Sequence, residues 1–141
     1  FLFPTSGMVS HVAWKNDKEI LVYADIKGIE QYYIMNDQSN DYTILDEKVF
    51  SENGHPSYSN EGLIITDTYP NRYRVQSLIQ YNDINKEYEV LAKLKAPFSF
   101  TGGVKCDLHP RWDRSGRNIC FDSAHTGKRA LCTLNLDSSP S

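Results

Sequence analysis

Short apolar runs separated by polar turns extend along the whole chain. The clearest runs are EILVYAD, LIITD and NICFD, which end at Asp25, Asp67 and Asp122. Polar turns precede them at residues 15–18, 59–62 and 113–116, and the last two turns end in glycine. Runs of this length, rich in β-branched and aromatic residues and bounded by turn signals, are typical of strands. The pattern therefore predicts an all-β chain with little helix.

The strands belong to a repeat. The motifs HVAW, HPSY and HPRW begin at His11, His55 and His109, at intervals of 44 and 54 residues, and each precedes one of the turns. After each apolar run comes a second turn and a further strand, and the first two units have a fourth strand at Tyr42–Leu45 and Tyr88–Leu94. Repeats of four strands with this period predict β-propeller blades, at about residues 9–46, 55–94 and 107–137. A β-sandwich is the rival fold, but it does not predict matching motifs at these intervals.

Three blades are too few to close a propeller ring, which usually has four to eight. The third unit ends after three strands, and the chain of 141 residues does not begin with methionine. We therefore expect residues 1–141 to form one partial propeller domain from a longer chain. The remaining blades would lie in cis, or the fragment would associate with itself.

Composition narrows the choice of partners and compartment. The net charge of −3 gives no general attraction to nucleic acid, and no run of about 18 apolar residues predicts a membrane span. Three cysteines without Cys-x-x-Cys spacing indicate neither a zinc ribbon nor a disulfide scaffold. Cys120 and Cys132 could face each other across a hairpin, which would matter only in an oxidising compartment. The compartment stays open, with the cytoplasm favoured over the periplasm.

The repeated histidines are candidates for a shared site. If each one opens the inner strand of a blade, all three lie near one mouth of the central channel. The loops at Asp67–Arg72 and Asp122–His125 return to that face, and Lys105 and Asp107 lie just before the third blade. Imidazoles converging with a carboxylate suit Mn²⁺, Fe²⁺, Ni²⁺ or Zn²⁺. Alternatively, each histidine hydrogen-bonds a neighbouring backbone group and fixes its blade.

Other side chains of the repeat also have two interpretations. The aromatic residues Trp14, Tyr58 and Trp112 are predicted to pack between blades. The aspartates that end the apolar runs either accept N–H bonds in the following turn or act as ligands. Four basic residues are either solvated charges or the anchors of an anionic ligand: Arg72, Lys105, Arg111 and Lys128.

Residues 109–136, HPRWDRSGRNICFDSAHTGKRALCTLNL, resemble the TolB-type propeller repeat, whose pattern runs His-Pro-x-Trp-Ser-x-Asp-Gly before an apolar strand. The segment HPSYSNEGLIITD matches more loosely. A histidine-rich axial pocket in such a propeller is similar to that of oligogalacturonate lyases, which use a metal, Mn²⁺ by resemblance, to bind a uronate carboxylate and cleave by β-elimination. The resemblance implies a carbohydrate-active lyase whose partner is an anionic oligosaccharide.

The same resemblance assigns roles to residues. His55 and His109, with His11 beside them, would bind the metal, and Arg111 stands where the lyase pattern has a further histidine. No glutamine ligand has a counterpart near Cys106, so Asp107 or a water would complete the site. The implied catalytic residues are Arg72, Arg111 and Lys105, and the implied substrate-binding residues are Tyr69, Arg72, Arg111, Asp122 and His125.

A second hypothesis is a non-catalytic propeller module that binds a protein or a glycan at the same mouth. In that case Tyr69, Arg72 and Arg111 are contact residues, and the histidines cap the blades.

Overall fold

A computed structural model describes residues 7–59 and 61–137. Those residues form three antiparallel sheets with strand orders β1-β2-β3-β4, β5-β6-β7-β8 and β11-β10-β9. One 3-10 turn at Gly102–Val104 is the helical part of this region. The predicted all-β fold, a partial propeller whose last blade has three strands, is confirmed.

The described residues up to Asn53 belong to the first compact unit, which holds the first sheet. Its strands are β1 (Val9–Trp14), β2 (Glu19–Ile26), β3 (Ile29–Asn36) and β4 (Tyr42–Ile44). The apolar residues of β2 and β3 supply a core of Val22, Ala24, Ile26, Tyr33 and Met35. Burial is concentrated in the two middle strands because sheets lie against other structure mainly through their central strands, and β4 is exposed.

The described residues from Gly54 onward belong to the second compact unit, which holds the other two sheets. One sheet consists of β5 (Ser57–Tyr58), β6 (Leu63–Asp67), β7 (Val75–Asn82) and β8 (Tyr88–Lys95). The other consists of β9 (Arg111–Trp112), β10 (Asn118–Ser123) and β11 (Ala130–Asn135). Both sheets contribute to one core of Ile65, Leu78, Leu108, Ile119 and Phe121.

Trp112 links the two sheets of the second unit. Its ring packs against their common core, and its indole N–H donates to the carbonyl of Ser57 at 3.0 Å. A large ring with one polar edge suits such a position, as the repeat pattern predicts. Trp14, at the matching position of the first unit, is 58% exposed.

The cysteines do not pair. Cys120 is opposite Thr133 in the β10–β11 register, and Phe121 is opposite Cys132. Because directly opposed residues share a face and successive residues alternate, Cys120 and Cys132 lie on opposite faces of the sheet. The prediction that they could face each other is wrong, and all three thiols are free.

A search for membrane-spanning helices over the described residues finds no helix of the necessary length and apolarity.

Candidate functional site

Asp67 links the starts of the two blades in the second unit. It ends β6, and its side chain is buried, with 3% of the residue exposed. One carboxylate oxygen accepts the backbone N–H of His55 at 2.8 Å, and the other accepts the backbone N–H of His109 at 3.0 Å. Bonds from N–H groups to a buried carboxylate are charge-assisted and strong. Asp67 therefore fixes both segments that lead into the inner strands β5 and β9.

The same carboxylate orients the ring of His55. Nδ1 of His55 lies 2.9 Å and 3.0 Å from the two oxygens of Asp67, and the histidine itself is only 6% exposed. A carboxylate can only accept, so Nδ1 of His55 carries a proton. This carboxylate–imidazole pairing fixes one tautomer and one ring orientation.

His109 stacks on His55. The ring centroids are 3.7 Å apart and the ring planes are tilted by 35°. His109 is exposed, and its backbone has a φ of 43°, in the left-handed region that non-glycine residues rarely adopt. The bond from its N–H to Asp67 helps to hold this conformation. The result is one buried imidazole with one accessible imidazole lying against it.

A second group of polar side chains lies beside His55. The ring of Tyr69 meets the His55 ring edge to face, with centroids 5.6 Å apart. The ammonium of Lys105 lies 4.8 Å from the centre of the Tyr69 ring and 2.8 Å from an oxygen of Asp107. Asp107 is buried, and its carbonyl is 3.4 Å from Nδ1 of His109. The site is thus a row of Lys105, Tyr69, His55 and His109 supported by two buried carboxylates.

The environment shifts the pKa of two members of this row. The hydrogen bond to Asp107 raises the pKa of Lys105 above its ordinary value, so the ammonium stays charged at neutral pH. Burial raises the pKa of Tyr69, although the charge of Lys105 opposes that shift. Tyr69 therefore keeps its hydroxyl proton while Lys105 keeps its positive charge.

A small cavity adjoins the row. It has a volume of about 130 Å³, and its lining includes Tyr69, Lys105 and Asp107 together with Arg74 and Phe100. Its outer wall is the segment 96–105, which joins the two sheets.

Two arginines hold that segment. Arg74 donates to the carbonyls of Ala96, Pro97 and Phe100 at 3.1, 3.5 and 3.2 Å. Arg129 donates to the carbonyls of Val104 and Lys105 at 3.1 and 2.9 Å. Because both ends of the segment are bonded to guanidinium groups, the cavity wall is fixed in place.

The residues implied by the resemblance do not all lie together. His55, His109, Asp107, Lys105 and Tyr69 form the row and its support, as described above. The guanidinium of Arg72 instead lies over the ring of Tyr73 at 4.6 Å and donates to its hydroxyl.

The remaining implied residues of the second unit have other contacts. Arg111 is exposed and donates to the carbonyl of Pro110 at 2.8 Å. The side chain of Asp122 is exposed, while its backbone N–H donates to Leu108. His125 has Nδ1 2.8 Å from the hydroxyl of Ser123. None of these contacts joins them to His55 or Tyr69.

His11 belongs to the first compact unit. Its Nδ1 lies 2.8 Å from the side-chain oxygen of Asn53 and 3.0 Å from the hydroxyl of Ser10. Its backbone φ of 45° is close to the 43° of His109, so two of the three repeated histidines have this left-handed conformation. Whether His11 shares a site with the other two histidines stays a prediction.

The donor set fits the implied metal only in part. Nδ1 of His55 bonds to a carboxylate and Nδ1 of His109 approaches a carbonyl, which is the outer arrangement usual for metal-binding histidines. The third expected ligand, Asp107, instead pairs with Lys105. Within residues 7–59 and 61–137, no group of three or more His, Cys, Asp and Glu side chains is arranged to hold a metal ion. Two imidazoles do not make a complete site for the implied metal.

The sequence does not predict the roles that Asp67 and Arg74 have in the site. The repeat predicts that Asp67 accepts N–H bonds in the following turn or acts as a ligand, and it gives no role to Arg74. Asp67 acts through bonds to residues 12 and 42 positions away, which leave no local pattern. The one available signal was the shared aspartate at the end of all three apolar runs.

Comparison with known proteins supports the fold. No protein-family model and no curated protein matches the chain. The crystal structure of TolB from Acinetobacter baumannii is similar, with a TM-score of 0.65 at 13% sequence identity. The match covers 92% of this chain and 30% of the TolB chain, so this chain spans less than a third of TolB's length. At that identity the likeness shows a TolB-like β-propeller fold alone.

Proposed function

We propose that the row of Lys105, Tyr69, His55 and His109 binds an anionic oligosaccharide that contains uronate. The observation that carries the proposal is the position of the Lys105 ammonium, held 2.8 Å from Asp107 and 4.8 Å from the centre of the Tyr69 ring. A fixed cation beside an aromatic ring matches an acidic sugar, which has a carboxylate and an apolar ring face.

The row also has groups suited to hydroxyls. The accessible imidazole of His109 can exchange hydrogen bonds with a sugar, and its orientation is fixed by stacking on His55. Because Asp67 and Asp107 hold the row from behind, little ordering of these side chains is needed on binding. Such preorganisation reduces the entropic cost of association.

The reaction we propose for this site is β-elimination at a uronate. His109 would take the proton from C5 of the sugar, and the electrons of that C–H bond would form the C4–C5 double bond as the C4–O bond breaks. Tyr69, which burial keeps protonated, would give its proton to the leaving oxygen. Lys105 would stabilise the negative charge that develops on the carboxylate. Solvent then restores the proton of Tyr69 and removes the proton from His109.

A non-catalytic module is the second candidate, and one observation favours it. Asp67 accepts the backbone N–H of both His55 and His109, so the two histidines have a structural task at the starts of two blades. In this alternative the same row binds a glycan or a protein, and no proton is transferred. The two candidates share the binding site and differ only in turnover.

Binding is tested by calorimetric titration of the chain with an oligogalacturonide and with a neutral galactose oligosaccharide of equal length. We expect heat of binding from the acidic ligand alone. Lys105→Gln should weaken it about tenfold, which corresponds to about 1.4 kcal/mol. Lys93→Gln, an exposed lysine of β8, is the matched control and should bind as the parent does. Equal binding of both sugars would refute an anionic specificity.

Turnover is tested on the same samples by the ultraviolet absorbance of the unsaturated product. Cleavage that is lost in His109→Ala and kept in Lys93→Gln would support the lyase. Binding without any product, with and without added Mn²⁺, would leave the non-catalytic module as the function. Metal analysis of the purified protein tests the implied metal separately.

A further inference from the structure

We infer that the cavity beneath segment 96–105 holds the carboxylate of the ligand. The inference rests on the proposed function and deepens it, because it names the place where the acid group binds and the residues that select it. Tyr69 and Lys105 line both this cavity and the exposed row, so a sugar lying on the row can extend its acid group inward.

The charge of the lining favours an anion. Arg74 and Lys105 are cations, and Asp107 is the one carboxylate among the residues that line the cavity. Lys105 and Asp107 pair with each other, so the positive charge of Arg74 has no carboxylate partner in the lining. A buried or half-buried positive charge without a counter-charge attracts an anion strongly, because little water screens it.

Arg74 has unused donors. Its three bonds to backbone carbonyls use Nε and one terminal nitrogen, Nη2. A guanidinium carries five N–H groups in a planar fork, so the two on Nη1 have no acceptor among residues 7–59 and 61–137. A ligand carboxylate would supply one. The bonds that hold segment 96–105 would stay in place, and the fork geometry suits a carboxylate better than it suits a hydroxyl.

The size of the cavity also suits a carboxylate group. About 130 Å³ is room for roughly four water molecules, and a carboxylate with its attached carbon is smaller than that. A whole sugar ring would not fit.

The test compares galacturonate, its methyl ester, galactose and acetate as probes, with binding followed by ligand-observed NMR and by calorimetry. We expect galacturonate to bind at least tenfold more tightly than the methyl ester or galactose, and acetate to compete with it. Lys105→Met should weaken galacturonate about tenfold and remove the preference over the ester. Arg114→Gln, an exposed arginine in the turn at residues 113–116, is the matched control and should keep that preference.

Arg74→Gln should also lose the preference, but it breaks three bonds of the cavity wall and could unfold it. Lys105→Met leaves those bonds intact, so the inference does not depend on Arg74 variants folding. Equal binding of galacturonate and its ester would overturn the inference while leaving glycan binding by the row in place. Acetate binding without any oligogalacturonide binding would keep the carboxylate cavity and overturn the proposed function. Loss of the preference in Arg72→Gln but not in Lys105→Met would also overturn the inference.

Discussion

The rings of His55 and His109 stack with their centroids 3.7 Å apart, and the two residues stand at the starts of neighbouring blades. The backbone N–H groups of both residues donate to the carboxylate of Asp67. These two histidines are therefore close neighbours in space although they are 54 residues apart in sequence. Their separation is set by Asp67 rather than by any ligand. A ligand that reaches His109 meets an imidazole whose position is already fixed.

Asp67→Ala should lower the free energy of unfolding by about 3 kcal/mol or more, because it removes a buried acceptor and leaves the N–H groups of two blades and the ring of His55 without it. Urea denaturation followed by circular dichroism measures this. Asp122→Ala, which removes an exposed carboxylate at the end of the equivalent run, should cost less than about 0.5 kcal/mol. Equal effects of the two variants would contradict the structural role of Asp67.

Gly54→Ala should destabilise the second unit by about 2 kcal/mol or more. A methyl group at this position would overlap the carbonyl oxygen of Asp67 and lie 2.9 Å from the hydroxyl of Thr66, so the backbone would have to move. Gly103→Ala meets nothing within 4 Å and serves as the control. Thermal unfolding of both variants is the measurement, and a parent-like midpoint for Gly54→Ala would refute the close approach.

The three cysteines should stay reduced and react at different rates. Burial raises the pKa of the Cys106 thiol, and the residue is only 8% exposed, so it should react with a thiol reagent last. Cys120 and Cys132 are partly exposed and should react first. After mild air oxidation, the denatured protein should still yield three titratable thiols. Mass spectra showing a bond between Cys120 and Cys132 would contradict the β10–β11 register.

Tyr69 should make stability fall in alkaline solution. Burial raises its pKa in the folded chain above 10.0, so above that pH the unfolded chain releases the proton first. The folded chain then binds more protons, and stability falls as pH rises through the folded pKa. Urea midpoints measured from neutral to alkaline pH should fall less in Tyr69→Phe than in the parent. An equal fall in both would contradict the burial of this hydroxyl.

The sheets could be predicted because their signals are local. Apolar runs of five to seven residues such as LIITD, each bounded by turn residues, determine where β2, β6 and β10 lie, and the repeat then indicates blades. The inner strands β5 and β9 have only two residues each, so their positions followed from the motif rather than from any apolar pattern.

The sequence predicted which segments lie near the site, but not which of their side chains form it. The repeat indicated that His55 and His109 occupy equivalent positions. It could not predict that Arg74, and not Arg72, lines the cavity. The two arginines lie in one turn, and the left-handed φ of 60° at Arg74 helps to direct that side chain to segment 96–105 while Arg72 stays on Tyr73. The cysteines show the same limit, because a shift of one residue in register decides which face each thiol takes.

The close approach of Gly54 to Asp67 also makes the link between the two blades recognisable in the amino-acid sequence. A side chain at the position before His55 would collide with the backbone of Asp67, so the contact requires the sequence Gly-His-Pro. The aspartate follows the histidine by 12 residues, and a second histidine follows the aspartate by 42. Genomes can be searched for this spaced pattern, with a few residues of tolerance for loop length. Chains that match it should share the carboxylate-bridged blades even where overall sequence identity has fallen too low to align.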